Sequence, residues 1–273
     1  MILPRLFFSL LLFAFLVREV PAQDKEAAKN PAACTRRYLV DISDFEPLAI
    51  RRNGRLEGLA HDLTVELQTR LGCTFIETER SLPVGIENMS SGRSDISLLG
   101  AERSGYAKGG HFVRLYTNYR EMLVAQTSHR PDWKIENYIK DKNIKFAHLI
   151  GGWNMLDKAQ EQELLKEGRL IGTPGPEGAF GLLKTGRVQA VLFSGIVNTH
   201  HISKLNMEKL VTRVEDSSER VEIGAFISKR RVSQEERVLL EKAFDEMKKD
   251  GSFLRIFSKY VSPQEAQHRM VEK

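Results

Sequence analysis

Cysteine is scarce in this chain: two residues, Cys34 and Cys73, in 273. Neither stands beside a His or Cys cluster, so the ligand spacing of a metal centre is missing and no metal or cofactor is expected. His200-His201 does not repair that, because adjacent residues on a helix point about 100° apart and chelate poorly. Long apolar stretches are limited to one, Leu6–Val17. With Arg5 before it and the small residues around Val20-Pro21-Ala22 after it, this run has the form of a cleaved secretion signal over residues 1–22. It is short for a bilayer, and no second candidate span follows. No Walker loop, zinc spacing or nucleophile–base pair occurs, so no catalytic residue is assigned. The formal net charge is +5, but Lys and Arg are spread along the chain and no basic run is interleaved with aromatics. Nucleic acid is therefore not an expected partner.

What is present is an alternation of extended and helical patterns in about 250 residues after the leader, enough for one large or two medium domains. Arg37–Ile42 is an apolar run ended by Ser43-Asp44. Leu59, Leu63, Leu67 and Leu71 then recur every four residues and stop at Gly72, a residue suited to a left-handed helix end. Cys73–Thr78 is β-branched and aromatic, a second short helix follows, and Asp95–Leu99 is a third strand. Strand–helix–strand–helix–strand with short links predicts a parallel sheet with right-handed crossovers. Ligands of such sheets sit at the carboxyl ends of the strands, which directs attention to Asp44-Phe45 and Gly100–Tyr106. Cys34 precedes the first strand and Cys73 opens the second. Neighbouring strands lie about 5 Å apart, so an exported chain is expected to join the two cysteines in a disulfide.

Further along, Phe112–Gln126 ends in the extended run Glu121–Gln126, and Thr127–Trp133 breaks the pattern. A second αβ set begins at Asn143–Ile150, with a helix over Asn154–Glu167, a short strand at Arg169–Gly172, a helix at Ala179–Thr185 and a strand at Val188–Phe193. Val221–Ser228 is again extended. Ser233 and Glu236 have the spacing of a capping box, with Val238, Leu239, Ala243, Phe244 and Met247 on one face of the helix that follows. Phe253–Tyr260 is expected to close the ordered chain.

These residues resemble the bacterial extracellular solute-binding protein family 3, the polar amino-acid type of periplasmic binding protein. The likeness rests on Phe45-Glu46-Pro47-Leu48 after the first strand, Gly58-Leu59-Ala60-His61-Asp62-Leu63 opening the first helix, and Gly92-Arg93-Ser94-Asp95 before the third strand. Its second-half counterpart is Gly186-Arg187-Val188-Gln189-Ala190-Val191, and the ending runs from Asp250-Gly251-Ser252-Phe253-Leu254 to Tyr260. The resemblance implies an α/β fold of two parallel-sheet lobes joined by two hinge segments, the type II periplasmic-binding-protein fold. Lobe 1 would combine residues 34–124 with 224–273, and lobe 2 would be residues 126–222. It also implies a periplasmic monomer that binds a small polar ligand, an amino acid or a related compound, and delivers it to an ABC permease in the inner membrane or reports it to a membrane sensor.

A cleft for a small zwitterion needs a cation for the carboxylate, an acid for the ammonium and an aromatic face. Phe45 stands at the family's aromatic position with Asp44 beside it, and Gly100 ends the third strand. Trp153-Asn154 stand where the family presents Gly-Thr or Gly-Ser to a carboxylate. Two positions depart from the pattern. Arg103 falls only three residues past Gly100, and a gap-free match puts Tyr106 or Ala107 where the family has its clamp Arg. The family's ammonium-binding Asp is replaced by Ser194, which argues against an ordinary α-amino acid. Two alternatives stay open: an exported dehydratase on the same fold, with Glu46 and Glu102 as the nearby acids, and a sensor or scaffold that no longer transports solute.

Overall fold

The computed structural model describes residues 36–152 and 155–270, so the leader, Cys34, Trp153 and Asn154 lie outside the described residues. The first strand, β1 (Arg37–Ser43), leads through a small hairpin of β2 (Ile50–Arg52) and β3 (Arg55–Glu57) into α1 (Leu59–Leu71). Leu59, Leu63 and Leu67 are the buried face of α1, and Gly72 ends it at φ 65°. That is the left-handed conformation a Cβ would resist. Next come β4 (Thr74–Arg80), α2 (Leu82–Ser91) and β5 (Ile96–Ala101). β1 lies between β4 and β5 and runs parallel to both, with Arg37 opposite Thr74. Asp95, fully buried just before β5, ties the layer together. Its carboxylate accepts from the Leu39 amide at 2.8 Å, Arg231 Nε at 2.9 Å and Arg36 Nη2 at 3.2 Å.

Two long strands carry the chain between the halves of the sheet: β6 (Gly110–Ala125), and, after the second αβ set, β10 (Val211–Ser228). Between them lie α3 (Ile135–Lys140), β7 (Phe146–Leu149), α4 (Lys158–Lys166), β8 (Leu170–Thr173), α5 (Pro176–Lys184), β9 (Ala190–Leu192) and α6 (Gly195–Lys204). The eight-stranded sheet has the order β4-β1-β5-β10-β6-β9-β7-β8. β6 and β10 are antiparallel, and Ile223–Ile227 of β10 pairs with β5 while Leu123-Val124 of β6 pairs with β9. Pairing therefore passes from one half to the other at Tyr119-Arg120 and Asp216–Arg220, where the register shifts. This crossing lies several residues before the junctions expected near Val124 and Glu222. On β6 the crossing falls within a polar run, Thr117-Asn118 and Arg120-Glu121, between apolar stretches.

The C-terminal helices α7 (Gln234–Lys249), α8 (Ser252–Phe257) and α9 (Pro263–Met270) complete the chain. Ser233 and Glu236 form the expected capping box, Ser233 Oγ accepting from the Glu236 amide at 3.2 Å. The buried face of α7 is Leu240, Ala243, Phe244 and Met247, whereas Val238 and Leu239 are exposed. The expected stripe began one turn position early. The last expected helix is shorter, and α9 follows it where no ordered element was expected. None of the helices of the described residues is long and apolar enough to cross a membrane.

Candidate functional site

The strands of the first half end at Ser43 and Ala101, and α6 of the second half begins shortly after β9, with Ser194 at its N-cap position. These ends face a shared cavity of about 90 Å³. Phe45, Gly100 and Tyr106 line it from the first half; Met155, Phe193 and Ser194 line it from the second. The β5 backbone turns into it at Leu99, φ 64°. A branched side chain is uncommon in that region, and such strain is typical of ligand sites. Tyr106 is buried and stacked on Phe226, ring centroids 5.4 Å apart. Burial raises its hydroxyl above the ordinary tyrosine value, so it stays neutral. Gly85 on α2 sits against that hydroxyl so closely that a Cβ there would overlap it.

Of the residues expected at a site, Phe45, Gly100, Tyr106 and Ser194 converge on the cavity. Asp44 is exposed and does not line it. Arg103 is also exposed and borders a different recess with Arg120, Glu136, Asp157 and Glu219. Its distance in sequence from Gly100 made it a plausible reach, but the 3₁₀ turn Gly105–Lys108 swings Tyr106, not Arg103, inward. Trp153 and Asn154 lie outside the described residues. So does Cys34; Cys73 is 2% exposed just ahead of β4, beside the start of β1.

A buried polar network backs the cavity, and sequence reasoning missed it. Arg269 of α9 is 1% exposed. Its Nη1 donates to Asn118 Oδ1 at 2.7 Å and its Nη2 to Glu121 Oε2 at 3.1 Å, both acceptors being on β6. Nε and Nη2 also reach Glu265 Oε1 one turn earlier on α9, at 3.2 and 2.9 Å. Asn198 of α6 donates to Glu121 Oε1 at 2.6 Å and to the Phe193 carbonyl at 2.9 Å. Arg213 of β10 adds a second cation, 3.3 Å from Glu265. The two arginines and two glutamates balance. The sequence signal was the polar run Thr117-Asn118 and Arg120-Glu121 within β6.

On another edge, Glu46, just after β1, accepts from His200 Nε2 at 2.7 Å and Lys204 Nζ at 2.5 Å, both on α6. Burial pushes the Glu46 carboxyl up, but these two partners outweigh it and hold the value below the usual one. Glu136, Asp216 and Glu219 bring carboxylate oxygens within 4.8 Å of one another. The Arg120 guanidinium pairs with Glu136 and with Glu219 and supplies the countercharge there.

Comparison with solved structures finds the same fold in amino-acid-binding proteins. A P235GK mutant of ArgBP from T. maritima superposes with a TM-score of 0.68 at 19% identity, covering 83% of this chain and 95% of that one. ArtJ, the arginine-, lysine-, histidine-binding protein from Geobacillus stearothermophilus, gives 0.68 at 18% identity, covering 83% and 95%. An ABC uptake transporter substrate-binding protein from Streptococcus pneumoniae with bound histidine gives 0.69 at 15% identity, covering 82% and 92%. Comparison with curated proteins finds no significant match. The model of one family aligns with residues 40–263, from within β1 to the first residue of α9. The chain belongs to the bacterial extracellular solute-binding proteins, family 3.

Proposed function

We propose that the chain is exported, captures a small solute in the cavity between its two halves, and delivers it to an ABC importer. The observation that carries this reading is the cavity itself, lined by strand ends and a helix start from both halves of the sheet. The two halves would act as lobes hinged where β6 and β10 cross, and hinge closure around ligand is a common mode of solute capture. The Glu46 pairs to His200 and Lys204 would then latch the closed form, since they join the segment after β1 to α6. The leader over residues 1–22 would direct export, and a Cys34–Cys73 bridge would fasten the segment preceding β1.

A thermal-shift screen of the purified protein against small metabolites tests the reading. A ligand at about 100 times its dissociation constant stabilises the fold by roughly 2.7 kcal/mol. A hit should be lost in Ser194→Trp, which fills the cavity from its partly exposed rim. Uptake of the same hit should fall in cells lacking the protein. A hit that survives the filling substitution would exclude the cavity, and unchanged uptake would exclude the importer role.

A further inference from the structure

Six polar side chains line the cavity: Ser43, Ser104, Tyr106, Tyr116, Asn118 and Ser194. None is charged, and no charged side chain lines it among the described residues. Trp153 and Asn154, outside that set, are uncharged residue types. Two buried cations stand behind the lining, and both are committed. Arg269 donates from each of its three guanidinium nitrogens to Asn118, Glu121 or Glu265, and Arg120 donates to the Met155 carbonyl and pairs with Glu136 and Glu219. An ionised carboxylate or ammonium entering this space would find no opposite charge, and burying an unpaired ion is strongly unfavourable.

Asn118 supplies the complementary observation. It is fully buried, and its Nδ2 has no hydrogen-bond partner. Guanidinium nitrogens only donate, so the amide oxygen must face Arg269 and the NH₂ group must face away from it. Arg269 thereby fixes the Asn118 amide as a donor on the side away from the guanidinium, on a residue that lines the cavity. Ser104 Oγ, on the same lining, is also without a partner.

From this geometry we infer that the solute is a small uncharged molecule, largely apolar, with a carbonyl or similar acceptor that receives the Asn118 Nδ2–H bond. The inference rests on the solute-binding reading above and narrows it: α-amino acids, acids and amines are excluded as cargo. The space of about 90 Å³ is smaller than the engineered cavity of about 150 Å³ that holds benzene, so on the hinged reading above a one-ring molecule is accommodated with the two halves slightly parted.

The test uses four probes built on one ring: acetophenone and benzamide, which are neutral with a carbonyl acceptor, and benzoate and benzylamine, which carry a charge. Binding to the purified protein is followed by calorimetry and by the melting temperature. The neutral pair should bind roughly tenfold or more tightly than either ion, given the cost of burying an unpaired charge. Asn118→Leu should weaken both neutral probes by removing their hydrogen-bond donor. Because that substitution also strips a partner from Arg269, a second variant is needed. Ser194→Asp keeps a good N-cap on α6 and places a carboxylate at the cavity rim, so it should gain benzylamine binding and weaken acetophenone. Tighter binding of benzoate or benzylamine to the unsubstituted protein would overturn the neutral-solute inference and leave solute binding standing. Benzylamine binding confined to Ser194→Asp, with neither neutral probe bound by the original protein, would also overturn it. No response by either protein to any probe would overturn both.

Discussion

Arg269 Nη2 stands 3.1 Å from Glu121 Oε2, with both side chains essentially sealed from solvent. The two belong to the last helix and to the strand that crosses between halves. The contact therefore fastens α9 to the crossing at the back of the cavity. Removing one member of a buried pair leaves an uncompensated charge and costs about 3–5 kcal/mol. Arg269→Ala should lower unfolding free energy by that much in a denaturant titration, and Arg269→Ala combined with Glu121→Gln should recover part of it. Additive losses would show that the pair is not coupled.

Glu46 has a different character, because its partners are partly solvated. Pairs of this kind contribute about 0–1 kcal/mol to stability. Glu46→Gln should leave the melting temperature nearly unchanged and speed ligand release, measured by stopped flow with a hit from the screen. An unaltered release rate would remove Glu46 from the latch.

His201 is buried against Phe180, ring centroids 4.7 Å apart, and neither ring nitrogen has a hydrogen-bond partner. Burial depresses its pKa to about 4, with the neighbouring charges of His200 and Lys204 adding to the effect. The unfolded chain would take up the proton near pH 6.5, before the folded one does. Stability due to this group is complete above that pH, falls between about 6.5 and 4, and levels off below. The loss is on the order of 3 kcal/mol. His201→Phe should flatten that part of the stability–pH curve, and a curve of unchanged slope would contradict the assignment.

The close approach of Gly85 to the Tyr106 hydroxyl makes another prediction. Gly85→Ala must push Tyr106 toward the cavity it lines. Overpacking of this kind typically costs about 1–3 kcal/mol, and affinity for a cavity ligand should fall along with stability. Gly85→Ala paired with Tyr106→Phe, which removes the hydroxyl, should restore much of both. Failure of the pair to recover would place the strain elsewhere.

Much of the first half was legible because its signals are local. The four-residue leucine repeat, Gly72 at φ 65° and the Ser233–Glu236 box are each decided within a turn of backbone. The cavity lining was partly legible for a related reason: Phe45 and Tyr106 follow, and Gly100 lies near the end of, strands that a parallel sheet brings side by side. Arg269 was not. In sequence it sits in a charged, helix-prone tail that reads as a solvated end, and only α9 packing on β6 buries it. Asn118 was hidden by its strand, where a run of mixed polar residues, Thr117 to Glu121, gives no hint that a side chain from the last helix will orient it.

A crystal structure of the protein with the strongest screening hit tests the central claim most directly. The account predicts ligand density enclosed by Phe45, Tyr106, Phe193 and Ser194, with an acceptor atom within hydrogen-bond distance of Asn118 Nδ2. A hit bound at any other surface, with that cavity unfilled, would contradict it.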